Sequence, residues 1–516
     1  MADDDPFDVF SDDEDESTDY GKQNDEEASR IAKSLIEQAN TKIRTSGETF
    51  TANNVDASQG TPDEVDLSHL DLLNLSWPPP LYIGSIRLVS ALPYGGGRGY
   101  VATKQLEPGT LILVEEPMME WAPEQVGKKL SLVSIEGMLQ HENASKIIHD
   151  LEDFHPTKEQ VDSLSFDEVS QAQISKMIQM MKSQYGESRL SKLVGMAKEK
   201  NVQSRDSSPL TINDIARMML VLRYNGLQAG VHRHVAMLNH SCHPNCTKLI
   251  PADDKSYSEV RTTRVVRAGD SLTISYLPRI MSHASRRHYL WDQHRFDIGS
   301  NLKGEELKLE LVGNSLPSSS TQFCDDMSAT FRIEKATEDM EKMLDELTVE
   351  VKNGLATPEV WEAVKALEQS SLELYTASTQ YLQSDHHLLL LPCLATHLDA
   401  CDLVKNAPSL MTSVQLGIIS RQVLTATRLA TLQVSVLGPD HFDLARTNLD
   451  LADAVGELLS RSPKQLYDLN LPDLSSFENW SSYEHKARRE HLRIKALYPH
   501  DAEDLVNRGS HRMKKS

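Results

Sequence analysis

The stretch AMLNHSCHPNCTKLI, residues 236–250, concentrates side chains that can bind metals, form hydrogen bonds or act as nucleophiles. A structural zinc site needs four thiolate or imidazole ligands, and Cys242, His243 and Cys246 supply two or three of them. A nucleophilic cysteine with His240 or His243 as its base is a second option, although residues adjacent in sequence rarely form a working dyad. The third option is a plain surface turn, because Asn and His-Pro-Asn favour turns.

Three other signals bear on these options by their order along the chain. The turn Gly97-Arg98-Gly99 precedes the stretch, GDSLTISY ends at Tyr276 after it, and Phe296 follows twenty residues later in WDQHRFD. Each signal is weak alone, since a Gly-x-Gly between strands is usually a hairpin. The set in this order and spacing is specific, and it weakens the turn interpretation.

Together these residues resemble the SET domain of protein lysine methyltransferases. The matching stretches are GGGRGYVATKQLEPGTLILVEEP, LNHSCHPN and RAGDSLTISY. The order of parts is most similar to the SMYD-type (SET and MYND) branch, in which a helical segment splits the SET domain and a tetratricopeptide-like helical domain follows. The resemblance covers residues 81–300 and, more loosely, residues 330–470.

The resemblance implies S-adenosyl-L-methionine as the methyl donor and assigns roles to eight residues of this chain. Tyr276 corresponds to the catalytic tyrosine. The implied cofactor-binding residues are Gly97, Arg98, Gly99, Asn225, Asn239, His240 and Phe296. Glycines suit a place where backbone approaches a ligand closely, and Phe296 corresponds to the aromatic residue that stacks on adenine.

The sequence also departs from this branch at its two zinc modules. Residues 123–223 contain no cysteine, so the MYND zinc module is missing. The cysteine-rich post-SET segment is replaced by FDIGSNLK, which has Ile298, Ser300 and Lys303 at the cysteine positions. We therefore predict no metal site, expect Cys242 to be a buried thiol, and expect Leu290, Trp291 and Phe296 to hold residues 285–305 by packing against the C-terminal helices.

The elements that must position these residues follow from local patterns. Short β-branched runs at 83–89, 100–103 and 110–115, and again within 231–277, indicate strands between Gly- and Pro-containing turns. Residues 123–223 show apolar spacing of three to four, which predicts helices. Thr211 and Asp214 suit a capping box at the start of one of them.

The chain divides by composition into four parts. We predict an acidic disordered tail and linker at residues 1–80, a SET domain at 81–300 with its helical insertion at 123–223, a linker at 301–327, and helices from 328 to 508. Thr357-Pro358 predicts a capped helix start in the last part. The fold class is α+β, a β-rich SET domain split by a helical insertion and followed by an all-α, tetratricopeptide-like domain.

Charge and cysteine content limit the classes of partner. The 516-residue chain has a net charge of −23, and residues 1–27 carry 13 acidic residues and one lysine. Such a chain is a poor direct ligand for nucleic acid phosphates and suits basic partners such as histone tails. Five cysteines without a C-x-x-C pair indicate a reducing compartment, and no apolar run approaches the roughly 18–20 residues of a membrane span. The acidic N-terminus argues against a secretory or mitochondrial leader.

These observations predict a monomeric, S-adenosylmethionine-dependent protein lysine N-methyltransferase of the nucleus or cytoplasm, acting on histone or other protein lysines in basic segments. The alternative is a non-catalytic interaction scaffold built on a degenerate SET domain and helical repeats. The losses of zinc ligands motivate that alternative.

Overall fold

The computed structural model describes residues 71–90, 97–120, 132–158, 168–227, 230–249, 257–294, 296–299, 309–310, 323–408, 410–469, 471, 474 and 476–498. Of the predicted acidic tail and linker at 1–80, residues 1–70 lie outside these residues, as does most of the predicted linker at 301–327. Among the described helices, none is both long enough and apolar enough to cross a membrane.

The part of the SET-like segment that the structure describes is built from short strands in small sheets. They are β1 (Tyr82–Ile83), β2 (Ile86–Val89), β3 (Gly99–Ala102), β4 (Leu111–Glu115), β5 (Met119–Glu120), β6 (Gly226–Leu227), β7 (Gly230–Val231), β8 (Asn239–His240), β9 (Cys246–Leu249), β10 (Ser258–Thr262) and β11 (Thr273–Ile274). The largest sheet is antiparallel in the order β1-β4-β10-β9, while β2-β3 and β5-β7-β6 are smaller antiparallel sheets.

The β4–β10 pair forms the centre of the large sheet. Leu113 pairs with Val260, and both side chains are fully buried, as is Ile112 beside them. Every residue of β10 is buried, which fits a strand covered on both faces and not one that alternates between core and solvent. This buried sheet therefore supports the segments before and after β8, which carry the polar residues.

One pair of strands is parallel and joins two distant parts of the chain. Asn239 pairs with Thr273, and His240 pairs with Ile274. The backbone N–H of Ser241 also donates to the Ile274 carbonyl at 3.0 Å. This pairing places Asn239 and His240 of the stretch LNHSCHPN close to Tyr276, which lies two residues after β11.

The described part of the predicted helical segment at residues 123–223 contains five helices. They are α1 (Leu132–Gln140), α2 (Ala144–Leu151), α3 (Glu168–Tyr185), α4 (Glu187–Glu199) and α5 (Ile212–Asn225). The capping box is confirmed: Thr211 Oγ1 accepts from the Asp214 N–H at 3.2 Å, and Asp214 Oδ2 accepts from the Thr211 N–H at 2.7 Å. Helix α5 is buried almost all round, and it ends at Asn225 beside the polar residues.

A sixth helix and the C-terminal array complete the described chain. They are α6 (His283–His294), α7 (Phe323–Lys352), α8 (Pro358–Leu382), α9 (Leu390–Lys405), α10 (Thr412–Leu437), α11 (Asp443–Arg461), α12 (Pro463–Tyr467) and α13 (Phe477–Leu497). The cap at Thr357 is confirmed, with Pro358 at the first helical position. Helix α7 begins five residues before the predicted position of 328, because the Ser-rich linker signal ends at Thr321 and acidic residues at 325 and 326 suit a helix start.

The last helix packs against the SET-like sheets. The single proton of Tyr498 Oη is shared between the carbonyl oxygens of Thr262, at 3.1 Å, and Asp440, at 2.9 Å. Gly109 lies against Leu497, and a Cβ added there would come within 2.7 Å of the Leu497 Cβ. Because Gly109 also has a φ of +79°, only glycine allows this close contact without strain.

Candidate functional site

The predicted site residues surround one cleft with a volume of about 1190 Å³. The members that line it are Gly97, Arg98, Asn225, Asn239, His240, Tyr276 and Phe296. Gly99 does not line the cleft; it begins β3 and pairs with Val89, where its backbone is part of a sheet. Residues from positions 97 to 296 are thus brought together by the fold.

Asn239 connects two walls of the cleft. Its Nδ2 donates to the Arg98 carbonyl oxygen at 2.8 Å. Because Asn239 is held in β8 by its pairing with β11, this bond fixes the position of the Gly97-Arg98 backbone. The pKa of the Arg98 guanidinium is lowered by burial, while Asp153 acts in the opposite direction.

His240 and Tyr276 form a closely connected pair. The Tyr276 backbone N–H donates to His240 Nδ1 at 3.0 Å, and the Tyr276 hydroxyl donates to the Leu238 carbonyl at 2.7 Å. Burial lowers the pKa of His240 to about 3, with His294 and Arg286 acting in the same direction. Burial also raises the pKa of Tyr276, so at neutral pH both side chains are uncharged.

Four rings pack together beside the cleft. The centroid of Tyr276 lies 4.8 Å from His294 and 5.4 Å from His240, and that of Phe296 lies 5.8 Å from His240 and 6.3 Å from His294. His294 lines the cleft and was missed by the sequence interpretation, although WDQHRFD places it two residues before Phe296. Burial lowers its pKa to about 4.

The segment after α6 is held without the missing zinc ligands, by Phe296 in the ring cluster and by polar contacts. Asp297 accepts two bonds from Arg287, at 2.5 and 2.6 Å, and His283 Nε2 contacts the Gly299 carbonyl at 2.9 Å. Leu290 is fully buried, as expected, but Trp291 is 46% exposed, so the prediction that it packs was wrong. The reason is that position 291 falls on the solvent face of α6.

Asn225 has a different environment from the other polar residues of the cleft. Its Nδ2 donates to the carbonyls of His155 and Val221, both at 2.9 Å. These bonds join the end of α5 to the loop after α2. Both Nδ2 protons of Asn225 are therefore used to hold the helical segment in place. The residue itself still lies in the wall of the cleft.

A buried carboxylate supports the backbone that leads into β8. Glu115, at the end of β4, accepts the backbone N–H groups of Arg233 at 2.9 Å, His234 at 2.8 Å and Val235 at 2.9 Å. Burial raises the pKa of Glu115, whereas His234 and these three donors act in the opposite direction. The sequence interpretation missed this residue, because an acid at the end of an apolar strand has no local signature.

The opposite wall of the cleft belongs to the helical segment and is strongly charged. Arg205 makes two bonds to Asp153, at 2.9 and 2.7 Å, and Lys158 contacts Asp206 at 2.9 Å. Glu152 lies beside them and accepts from Ser204 Oγ at 2.5 Å. This wall is polar and mostly internally paired, in contrast to the ring-lined wall facing it.

The cysteines of the opening stretch differ from each other. Cys246 is buried in β9, but Cys242 is half-buried, so the expectation of a buried thiol at Cys242 was wrong. The Cys242 sulfur lies 3.4 Å from His240 Nε2. The turn Ser241–Pro244 leaves the sheet at this point, which brings Cys242 toward solvent.

The cleft has features that fit a cofactor with an aromatic base and a polar tail. His294 Nδ1 is buried with no hydrogen-bond partner among the described residues, so it can bond to a ligand. An added Cβ at Gly97 would meet no described protein atom within 4 Å, so the backbone there borders open space. Phe296 lies in the ring cluster at the edge of the same space. A ring, a free ring nitrogen and an accessible backbone therefore line one cavity.

Comparisons with solved structures found only remote matches. Solved structures of the SET domain of LSMT bound to lysine and AdoHcy, and of Rubisco LSMT bound to sinefungin and monomethyllysine, are 13% identical to this chain. Each covers 82% of this chain and is itself covered to 88%, but the TM-scores of 0.26 and 0.25 are too low to support any structural argument.

Sequence similarity is closer but short. The histone-lysine N-methyltransferase SMYD3 is 37% identical in Mus musculus and 35% identical in Homo sapiens, over 68 residues in each case. The match spans 13% of this chain and only 15% of the length of those relatives. Residues 97–277 match the SET domain family. The central part of this chain therefore contains a SET domain.

Proposed function

We propose that this protein is an S-adenosylmethionine-dependent protein lysine N-methyltransferase. The observation that carries the proposal is the convergence of Tyr276, His240 and Phe296 on the cleft whose other edge is the Gly97-Arg98 backbone. This convergence lies in and next to the segment that matches the SET domain family.

S-adenosylmethionine, when bound, supplies an activated methyl group on a sulfonium. Phe296 would hold the adenine ring, His294 Nδ1 would offer a hydrogen bond, and the Gly97-Arg98 backbone would border the amino acid end. Asn239 acts indirectly, because its amide already holds the Arg98 carbonyl. The residues present therefore fit the cofactor by size, aromatic faces and available polar atoms.

The chain's own groups would orient the substrate amine and exclude water. The Tyr276 hydroxyl donates its proton to Leu238, so its oxygen lone pairs are left to accept an N–H from an incoming amine. His240 does not serve as a base, because its Nδ1 is already bonded to the Tyr276 N–H. The lysine must then arrive neutral, which a low-dielectric channel beside a positive charge favours by lowering an amine pKa from about 10.4.

The protein substrate that we propose is a basic, lysine-containing segment, with histones among the candidates. Two observations support this choice. The relatives that match over 68 residues are named as histone-lysine N-methyltransferases. The chain carries a net charge of −23, which suits a basic substrate. A nuclear or cytoplasmic location would suit such a substrate.

We further propose that the C-terminal helices serve as a tetratricopeptide-like surface for partners. Helices α8 to α11 lie in sequence order, each packed on the one before it. Such stacked helical pairs present extended surfaces to other proteins. If the cleft had lost its catalytic role, this surface alone would make the protein a scaffold.

The test measures transfer of radiolabelled methyl groups to histones and to a cell lysate by the full chain. Tyr276→Phe should abolish incorporation while retaining cofactor binding, because it removes only the hydroxyl that orients the amine. Tyr381→Phe is the matched control, since Tyr381 is 46% exposed on α8, away from the cleft. Equal incorporation by the wild type and Tyr276→Phe would refute the proposal, and cofactor binding with no incorporation would favour the scaffold.

A further inference from the structure

A buried cluster of metal-ligating side chains lies in the C-terminal helices, separate from the cleft. Glu368 on α8 faces His397 and Cys401 on α9, and all three are buried. His397 and Cys401 are four residues apart, which puts them on one face of the helix. This cluster has no local signature in the sequence, because 33 residues separate Cys401 from Glu368 and only the packing of α8 on α9 brings them together.

The distances within the cluster match a tetrahedral zinc site. The Cys401 sulfur lies 3.6 Å from His397 Nε2 and 3.6 Å from Glu368 Oε1, and His397 Nε2 lies 4.0 Å from Glu368 Oε1. Zinc bonds of about 2.3 Å to sulfur and about 2.0–2.1 Å to nitrogen and oxygen place neighbouring ligand atoms roughly 3.3–3.6 Å apart. Two edges already have this length, and the third needs a movement of about half an ångström.

The hydrogen bonds of the cluster leave the correct imidazole nitrogen available. Ser371 Oγ donates to the Glu368 carbonyl at 2.8 Å and lies 3.0 Å from His397 Nδ1. Because the single hydroxyl proton is used on the carbonyl, Nδ1 must carry the proton that joins the two side chains. The lone pair is then on Nε2, which points at Cys401 and Glu368. Such an outer partner is typical of metal-binding histidines.

A neighbouring arginine is compatible with a bound cation. Arg421 on α10 bonds to Glu368 through Nε–Oε1 at 2.7 Å and Nη2–Oε2 at 3.0 Å. Each carboxylate oxygen has two lone-pair sites, so Oε1 can keep its bond to Arg421 and still bind a metal. The Cys401 thiolate and the Glu368 carboxylate would offset the two charges of the cation, so the site would keep the single positive charge of Arg421, whose side chain is 37% exposed to solvent.

We propose that Glu368, His397 and Cys401 bind a zinc-class divalent cation that clamps α8 to α9. On binding, the bond between the metal and the Cys401 sulfur forms, the S–H bond breaks, and the proton leaves to solvent. Solvent completes the fourth position. This site is independent of methyl transfer, so its test does not depend on the proposed activity.

The test uses the full chain, stripped of metal with a chelator and then titrated with Co²⁺, followed by competition with Zn²⁺. The expected result is one equivalent of Co²⁺ with a thiolate-to-cobalt charge-transfer absorption that Zn²⁺ abolishes. Cys401→Ser should lose the absorption and bind at least about 100-fold more weakly. Cys393→Ser is the matched control, because Cys393 is equally buried on α9 but bonds to the Leu389 carbonyl and Thr337.

Two outcomes would overturn the proposal, and the first of them needs no variant. The first is a wild-type chain that takes up no Co²⁺. The second is an absorption that disappears in Cys242→Ser, where the half-buried sulfur lies near His240, and persists in Cys401→Ser. If Cys401→Ser is unfolded by circular dichroism, His397→Gln provides the same comparison, with binding retained at wild-type strength counting against the site.

Discussion

The single side-chain bond between Asn239 and the Arg98 carbonyl makes a sharp prediction about cofactor binding. Asn239→Ala removes a donor at 2.8 Å from a partly buried carbonyl and leaves β8 intact. A neutral hydrogen bond of this kind contributes about 0.5–1.5 kcal/mol net. We expect a loss of free energy near the upper end of this range, because water can replace the lost donor only in part at the partly buried Arg98 carbonyl.

The lost free energy of this hydrogen bond lowers the affinity for the cofactor by the same amount if the bond holds the Gly97-Arg98 backbone in its binding conformation. A loss of about 1–1.4 kcal/mol lowers the population of the competent backbone, and so the affinity, by about 5- to 10-fold. Isothermal calorimetry with S-adenosylmethionine measures this directly. The heat capacity and the stoichiometry should stay unchanged, since the cavity itself is preserved.

A matched control separates this effect from general loss of stability. Asn448→Ala removes a similar 2.8 Å bond, from Nδ2 to the Leu444 carbonyl, in α11 far from the cleft. Asn448→Ala should bind the cofactor like the wild type. An Asn239→Ala variant that binds as tightly as the wild type, or equal weakening of binding in both variants, would refute this role of the Asn239 amide.

Three further predictions follow from the geometry of the cleft. Phe296→Ala should weaken S-adenosylmethionine binding by about 10-fold in the same calorimetric assay, because stacking of a base on an aromatic ring contributes about 1–3 kcal/mol; unchanged affinity would exclude stacking there. Glu115→Gln should lower the free energy of unfolding by about 2–3 kcal/mol in urea, since an amide cannot accept all three backbone N–H groups as a carboxylate does; a loss under about 0.5 kcal/mol would contradict this. Burial lowers the pKa of His294 to about 4 and that of His240 to about 3 in the folded protein, whereas a histidine in the unfolded chain has a pKa of about 6.5. Below about pH 6.5 the unfolded chain therefore binds more protons than the folded one. The free energy of unfolding should fall as the pH drops from about 6.5 toward 4, by up to about 1.4 kcal/mol per pH unit for each histidine. His294→Gln should flatten that slope in urea unfolding at several pH values, and an unchanged slope would contradict the assignment.

Local patterns were sufficient for those parts of the structure whose cause is local. The capping box at Thr211 and the Thr357-Pro358 start depend on residues within one turn of each other, and both are confirmed. The boundary at 323 was less accurate, because a helix start after a Ser-rich segment depends on a weak balance of propensities.

The candidate site required information that local patterns do not contain. The stretch LNHSCHPN at 238–245 predicted a pocket wall, and the turn at 97–99 predicted a neighbour, but their contact depends on the parallel pairing of β8 with β11. Glu115 and the charged wall at Asp153 and Arg205 had no motif to reveal them, and His294 was missed although it lies in WDQHRFD. The exposure of the Trp291 side chain was likewise undetermined, since the sequence of α6 does not show which face of the helix meets solvent.

The sequence by itself determined which residue types exist and in what order, and so it identified the SET-like motifs and the absence of their usual zinc cysteines. Tertiary structure alone decided which of these residues meet. It placed Tyr276 beside His240, paired Arg287 with Asp297 in the segment without zinc cysteines, and brought Glu368 to His397 and Cys401. The physical reason is that burial, pKa and ligand geometry depend on distances in space, and these are set by packing between segments far apart in the chain.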